Sequence, residues 1–136
     1  MGASRRRRAA VLVAALVLIT GCSTGAPEPP DVTCTTAPPG PVGAEEAAVC
    51  LYEGWVATDE ALVDAYGAPG VTDALPVAVD DPQMRWGGCT GAGSETPDGV
   101  VCTWTGAFSD GPVTIELAAT GTDADGYRVT AVTVVR

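Results

Sequence analysis

Five cysteines, at positions 22, 34, 50, 89 and 102, constrain what this 136-residue chain can fold into more than any other feature. Cys22 closes an apolar run near the N-terminus and is expected to take a lipid rather than a partner thiol. That leaves Cys34, Cys50, Cys89 and Cys102, an even set that allows three disulfide connectivities. The expected pairing is Cys34–Cys50, stapling a proline-rich segment to a helix, with Cys89–Cys102, closing a hairpin around the Gly- and Pro-rich residues 90–99. At the level of sequence the other two connectivities stay open. Each favoured loop spans about 15 residues, worth roughly 3 kcal/mol by restricting the unfolded chain. A domain of under about a hundred residues gains much from such staples, because it buries too small a share of its surface to be very stable without them. Redox or zinc chemistry is disfavoured, since no Cys-x-x-Cys spacing occurs and no histidine could complete a mixed site.

Arg5, Arg6, Arg7 and Arg8 precede an apolar run from Ala9 to Ile19, and the run ends in Ile19-Thr20-Gly21-Cys22. A basic start and an apolar stretch shorter than the about 20 residues of a bilayer span mark an export signal. Ile19, Thr20, Gly21 and Cys22 resemble the lipobox of bacterial lipoproteins. Small side chains suit a membrane-bound peptidase, and the Cys22 thiol is the nucleophile that accepts a diacylglyceryl group. Residues 1–21 are therefore expected to be cleaved, by the general secretory route. An uncleaved transmembrane anchor would want a longer apolar core and no peptidase site. Residues 22–43 are expected to form the lipid anchor and a linker, because Pro27, Pro29, Pro30, Pro38, Pro39 and Pro41 exclude helix and disfavour a central strand. The expected location is the outer face of the cytoplasmic membrane, held there through Cys22.

The chain has 7 basic and 17 acidic residues. Loss of Arg5 to Arg8 would leave three bases against 17 acids, a net charge of −14. Such a surface repels phosphate backbones and anionic headgroups, which argues against a nucleic-acid partner and against membrane contact through the protein surface. The absence of histidine removes Ser-His and Cys-His nucleophile arrangements and the commonest zinc ligand. Any catalysis would rest on carboxylates, tyrosines or thiols.

From Ala44 the pattern becomes helical. Ala48, Leu51, Trp55, Thr58, Leu62 and Ala65 recur at three and four residues, with Glu45 and Glu46 placed where negative charge suits a helix start. Thr58 or Asp59 ends one helix and caps the next, so helices are expected over 44–57 and 59–66, with a short helical turn possible over 71–75. Beyond residue 83 the period becomes two. Val100, Cys102 and Trp104 alternate with Thr103 and Thr105, Val113, Ile115 and Leu117 alternate with Thr114 and Glu116, and residues 127–135 are rich in Val and Thr. A shorter strand is expected over 83–89. The predicted fold is one α+β domain over 44–136, with N-terminal helices on one face of a four-stranded antiparallel sheet and two disulfides.

The segments Leu51-Tyr52-Glu53-Gly54-Trp55 with Asp59, Trp86-Gly87-Gly88-Cys89 and Val101-Cys102-Thr103-Trp104 resemble exported actinobacterial lipoproteins with a small nuclear-transport-factor-2-like domain, the cystatin-like cone. The resemblance covers residues 44–136 and implies helices cupped against a curved sheet. Enzymes of that superfamily use an acid inside the cone, and no such motif maps onto this chain residue by residue.

Tyr52, Trp55, Tyr66, Trp86, Trp104 and Tyr127 are the candidates to line a small apolar pocket, with ordinary core packing as the alternative. Asp123-Ala124-Asp125-Gly126 has part of a calcium-loop spacing but lacks its remaining ligands, so no metal or cofactor is expected. Glu116 is out of phase with its apolar neighbours and is expected on the solvent face. The functional expectation is a lipid-anchored, non-catalytic envelope protein that binds an envelope protein or a small apolar ligand. The alternatives are a cone enzyme with a buried carboxylate, of isomerase or hydrolase type, and a structural spacer or assembly accessory.

Overall fold

The computed structural model describes residue 25 and residues 27–76, 83–91 and 99–136. Residues 1–24, which hold the arginine run, the lipobox and Cys22, lie outside the described residues, as do residues 92–98.

Helix α1 covers Ala44–Ala57 with Glu45 and Glu46 in its first turn, and α2 covers Glu60–Tyr66. Between them the chain reverses through a tight C-terminal cap. Thr58 lies in the left-handed region at φ 54°, its N–H donates to the Trp55 carbonyl, and the Asp59 N–H donates to the Gly54 carbonyl over 2.8 Å. These two bonds form a Schellman motif, with a β-branched residue where glycine is usual. Asp59 then caps α2, its Oδ1 accepting from the Leu62 N–H at 3.0 Å. The continuous stripe expected through Thr58 is interrupted here, and Thr58 is exposed. After α2, hydrogen bonds from the N–H groups of Val71, Asp73 and Leu75 to the carbonyls of Ala68, Gly70 and Thr72 form successive four-residue turns rather than a continuous helix.

Four antiparallel strands follow in meander order: β1 Arg85–Thr90, β2 Gly99–Phe108, β3 Gly111–Thr122 and β4 Gly126–Val135. The α+β class and the helix-on-sheet layering are those the sequence pattern predicts. β3 is longer than its apolar core suggests, because Gly121 and Thr122 continue pairing with Tyr127 and Gly126. Pro112 fits into β3 without losing a ladder bond on both sides, since β4 ends at Val135 opposite Thr114. Register aligns Trp104 with Ile115 and Val134, and Cys102 with Leu117 and Val132, on one face. That face is buried. The other carries Thr103, Glu116 and Thr133 in one row, so Glu116 lies opposite the core as its phase predicts.

α1 packs across all four strands, whereas α2 touches only β4 of the sheet. This makes α1 central. Ala47, Ala48, Val49, Cys50, Leu51, Tyr52, Gly54 and Trp55 are all buried, a far wider arc than one amphipathic stripe, because the sheet, α2 and an N-terminal arm each cover part of the helix.

The arm is held by three kinds of contact. The Cys34–Cys50 disulfide ties it to α1, the Thr35 N–H donates to the Tyr66 hydroxyl at 3.1 Å, and the Tyr127 N–H donates to the Val42 carbonyl at 2.8 Å. Val32 and Val42 pack against the core, so apolar packing extends ahead of Ala44. Gly126, at φ 87°, makes this docking possible: a Cβ there would lie 2.8 Å from the Val42 backbone nitrogen. The second disulfide, Cys89–Cys102, joins directly opposed residues of β1 and β2. Both expected pairings are formed.

Candidate functional site

Four of the six aromatic candidates come together. Tyr52 on α1 stacks on Trp104 of β2 with centroids 3.9 Å apart and planes 12° from parallel. Trp86 of β1, the cross-strand neighbour of Trp104, meets it edge-on at 5.1 Å, and Trp55 meets Tyr52 edge-on at 5.7 Å. The Tyr52 hydroxyl accepts from the Met84 N–H at 3.3 Å. These rings are 4% to 9% exposed, so they fill the space between α1 and the sheet as core. The Trp104 Nε1–H is buried without a hydrogen-bond partner among the described residues, which costs on the order of 1–3 kcal/mol. Tyr66 and Tyr127 stand apart from this cluster. Tyr66 is fully buried and receives the arm at its hydroxyl, and Tyr127 is half-buried beside Val42.

Among the described residues a concavity lies instead at the corner of α1, α2 and the turns after α2. It is an open groove of about 410 Å³. Of the aromatic candidates, only Trp55 lines it. The shape has a local origin. Gly54 lets α2 approach α1 closely, since a Cβ there would lie 3.0 Å from the Val63 backbone nitrogen. On the far side the chain returns so that the Trp55 Nε1–H donates to the Pro76 carbonyl at 2.9 Å. Gly54, Trp55, Val63, Leu75 and Pro76 supply the apolar part of the lining. Thr58, Gly70 and Thr72 complete the walls.

The charged part is of one sign. Asp59, Glu60, Asp64 and Asp73 all line the groove, and among the described residues no basic residue does. All four are exposed. Glu60 and Asp64 sit four residues apart on α2, a like-charge spacing that costs a helix a few tenths of a kcal/mol, and α2 has no base in its last turn. Arg128 reaches α2 from β4, but its guanidinium donates to the backbone carbonyls of Asp64 and Gly67. Arg136 pairs with Asp110 at the opposite end of β4.

Of these groove residues, the sequence reading had singled out Trp55, Thr58 and Asp59. It missed Gly54, Val63, Asp73, Leu75 and Pro76, whose shared surface depends on the return of the chain after α2. The one local signal was the uncompensated Glu60 and Asp64 pair.

The Asp123-Ala124-Asp125-Gly126 stretch forms the β3–β4 turn. The Thr122 hydroxyl donates to Asp125 Oδ2 at 2.9 Å and accepts from the Asp125 N–H at 3.1 Å, so this carboxylate serves its own turn. Among the described residues no group of three or more Asp, Glu, Cys or His is placed to hold a metal ion. Nor is any helix among them long and apolar enough to cross a membrane. No protein-family model matches the chain, and neither curated proteins nor solved structures yield a match.

Proposed function

We propose that this chain is a lipid-anchored extracytoplasmic protein of the bacterial cell envelope whose α+β domain binds a ligand without transforming it. The anchoring half of the reading rests on Arg5 to Arg8, the short apolar run and Ile19-Thr20-Gly21-Cys22. The kinship with small nuclear-transport-factor-2-like domains belongs to the same proposal and rests on the segments around Trp55, Trp86 and Trp104. The observation that carries the binding half is the location of the open space. In a cone enzyme a carboxylate would lie between the helices and the sheet, and here Tyr52, Trp86 and Trp104 pack against one another in that space. The space opens onto α2 and its following turns, where a ligand meets apolar surface and solvated carboxylates. Such exposed carboxylates suit binding and orienting a ligand, whereas acid–base catalysis by a carboxylate calls for a site shielded from water.

Replacement of Cys22 tests the anchoring. Cys22→Ala is expected to abolish incorporation of radiolabelled palmitate and to leave the signal uncleaved, and continued labelling of that variant would refute it.

A further inference from the structure

We infer that residues 32–42 act as a clamp rather than a linker, and that the Cys34–Cys50 bridge fixes how far the domain can stand from the membrane. The inference rests on the reading of Cys22 as the lipid-bearing residue and adds the length of the tether, which proline content alone would extend to residue 43.

The arm is held at its two ends. At the first, Val32 packs against the core, Cys34 is bonded to the fully buried Cys50 of α1, and the Thr35 N–H donates to the hydroxyl of Tyr66, fully buried at the end of α2. At the second, Val42 packs against the core and its carbonyl accepts the Tyr127 N–H at the start of β4. Between them Thr36, Ala37, Pro39, Gly40 and Pro41 are exposed. The first end is the one nearer Cys22 along the chain, and the bridge is its covalent tie. Without the bridge, the described contacts of that end are one hydrogen bond and the packing of Val32, set against the conformational freedom of about ten residues.

With the bridge formed, the chain from Cys22 to Val32 is ten peptide steps. Fully extended, it reaches about 35 Å at most. Counted to Val42 the tether would be twenty steps, with a limit of about 70 Å. The bridge therefore halves the reach. A domain of about a hundred residues has a radius of gyration of about 13 Å, so on the shorter tether it works beside the bilayer and meets its partner in or on that same membrane.

Two insertions test the clamp while the bridge stays intact. Ten Gly-Ser residues placed after Asp31 lengthen the tether, whereas the same ten placed after Thr36 enlarge an exposed part of the arm behind the bridge. The lipid-bearing chain, purified from membranes, would be held on a supported phosphatidylcholine bilayer and the height of the protein layer read by neutron reflectometry. The Asp31 insertion is expected to raise the layer by roughly 7 Å, the difference between flexible chains of about ten and twenty residues, and the Thr36 insertion to leave it unmoved. In Cys34→Ser with Cys50→Ser, the Thr36 insertion should raise the layer as well. Equal rises for the two insertions in the bridged protein would overturn the clamp and return residues 22–43 to a linker. That comparison decides the clamp even if the serine pair misfolds. No rise from the Thr36 insertion in the folded serine variant would show that Val32 and Thr35 hold the arm unaided, which overturns the role of the bridge. A height unmoved by either insertion would overturn the tether as its determinant. All of these outcomes leave the anchor standing. An intact mass without lipid on Cys22 would instead refute the anchoring reading, and the inference with it.

Discussion

Trp55 separates a filled region from an open one. Toward the sheet it meets Tyr52, behind which Trp104 and Trp86 are packed almost free of solvent. Toward α2 the same residue lines a groove of about 410 Å³. The filled region consists of large, uncharged rings, and among the described residues the buried side-chain polar atom left without a partner is the indole nitrogen of Trp104. The open region combines Gly54, Gly70 and a run of turns with four carboxylates. Burying an ionised carboxylate without a partner costs far more than a small domain can offset. Collapse of the groove would force that burial, so the hydration of Asp59, Glu60, Asp64 and Asp73 helps keep it open. Shape and charge are thus coupled on one side of Trp55 and independent on the other.

If the two regions respond separately, substitutions should show it. The largest effect is expected for Trp104→Ala, which empties the centre of the stack and should cost about 3–5 kcal/mol, read from the denaturant midpoint with disulfides intact. Trp104→Phe should cost much less, because it also removes the unpartnered Nε1–H. Movement of the Gly70 and Leu75 amides in folded Trp104→Phe, as large as the movement at Tyr52, would show that the two regions are mechanically one. Next comes the arm. Removal of the Cys34–Cys50 bridge by Cys34→Ser with Cys50→Ser should cost roughly 3 kcal/mol and raise the hydrogen-exchange rate of the Tyr127 amide, whose acceptor is Val42. Unchanged exchange at Tyr127 would mean that Val32 and Val42 hold the arm without covalent help.

The smallest effect belongs to the open side. Asp59→Ala should cost about 1 kcal/mol through the lost cap on Leu62, and Asp59→Asn only a few tenths, because Asn caps nearly as well. The denaturant midpoints of the two variants check the cap, and an equal loss in both would show that Asp59 does more for α2 than accept the Leu62 N–H.

Local rules explain what was legible. Asp59 as a cap, the alternation of Val113, Ile115 and Leu117, and the opposite facing of Glu116 each depend on neighbours within a few residues. The helical stripe was legible only in part. Period alone predicts one buried face, and the burial of Ala47, Val49 and Cys50 beside Leu51 reflects coverage of α1 by the arm and α2 as well as the sheet. Thr58 stood in the expected stripe because its spacing is right, but the left-handed cap turns the chain there and leaves it exposed.

The pocket candidates divide along the same line. Composition and period identified Tyr52, Trp55, Trp86 and Trp104 as large apolar groups on the interior faces of helix and strand, and neither property distinguishes a lined cavity from a filled one. Sequence by itself determined the order of helices before strands, the faces of the sheet and the cap at Asp59, and it favoured, without settling, the disulfide pairing that the fold bears out. Only the tertiary structure decided that the rings fill the space between α1 and the sheet and that a groove opens beside α2. Those outcomes depend on the approach of Gly54 to Val63 and on a hydrogen bond between Trp55 and Pro76, 21 residues apart. Contacts at that separation are set by how whole elements pack, and no local period or cap encodes them.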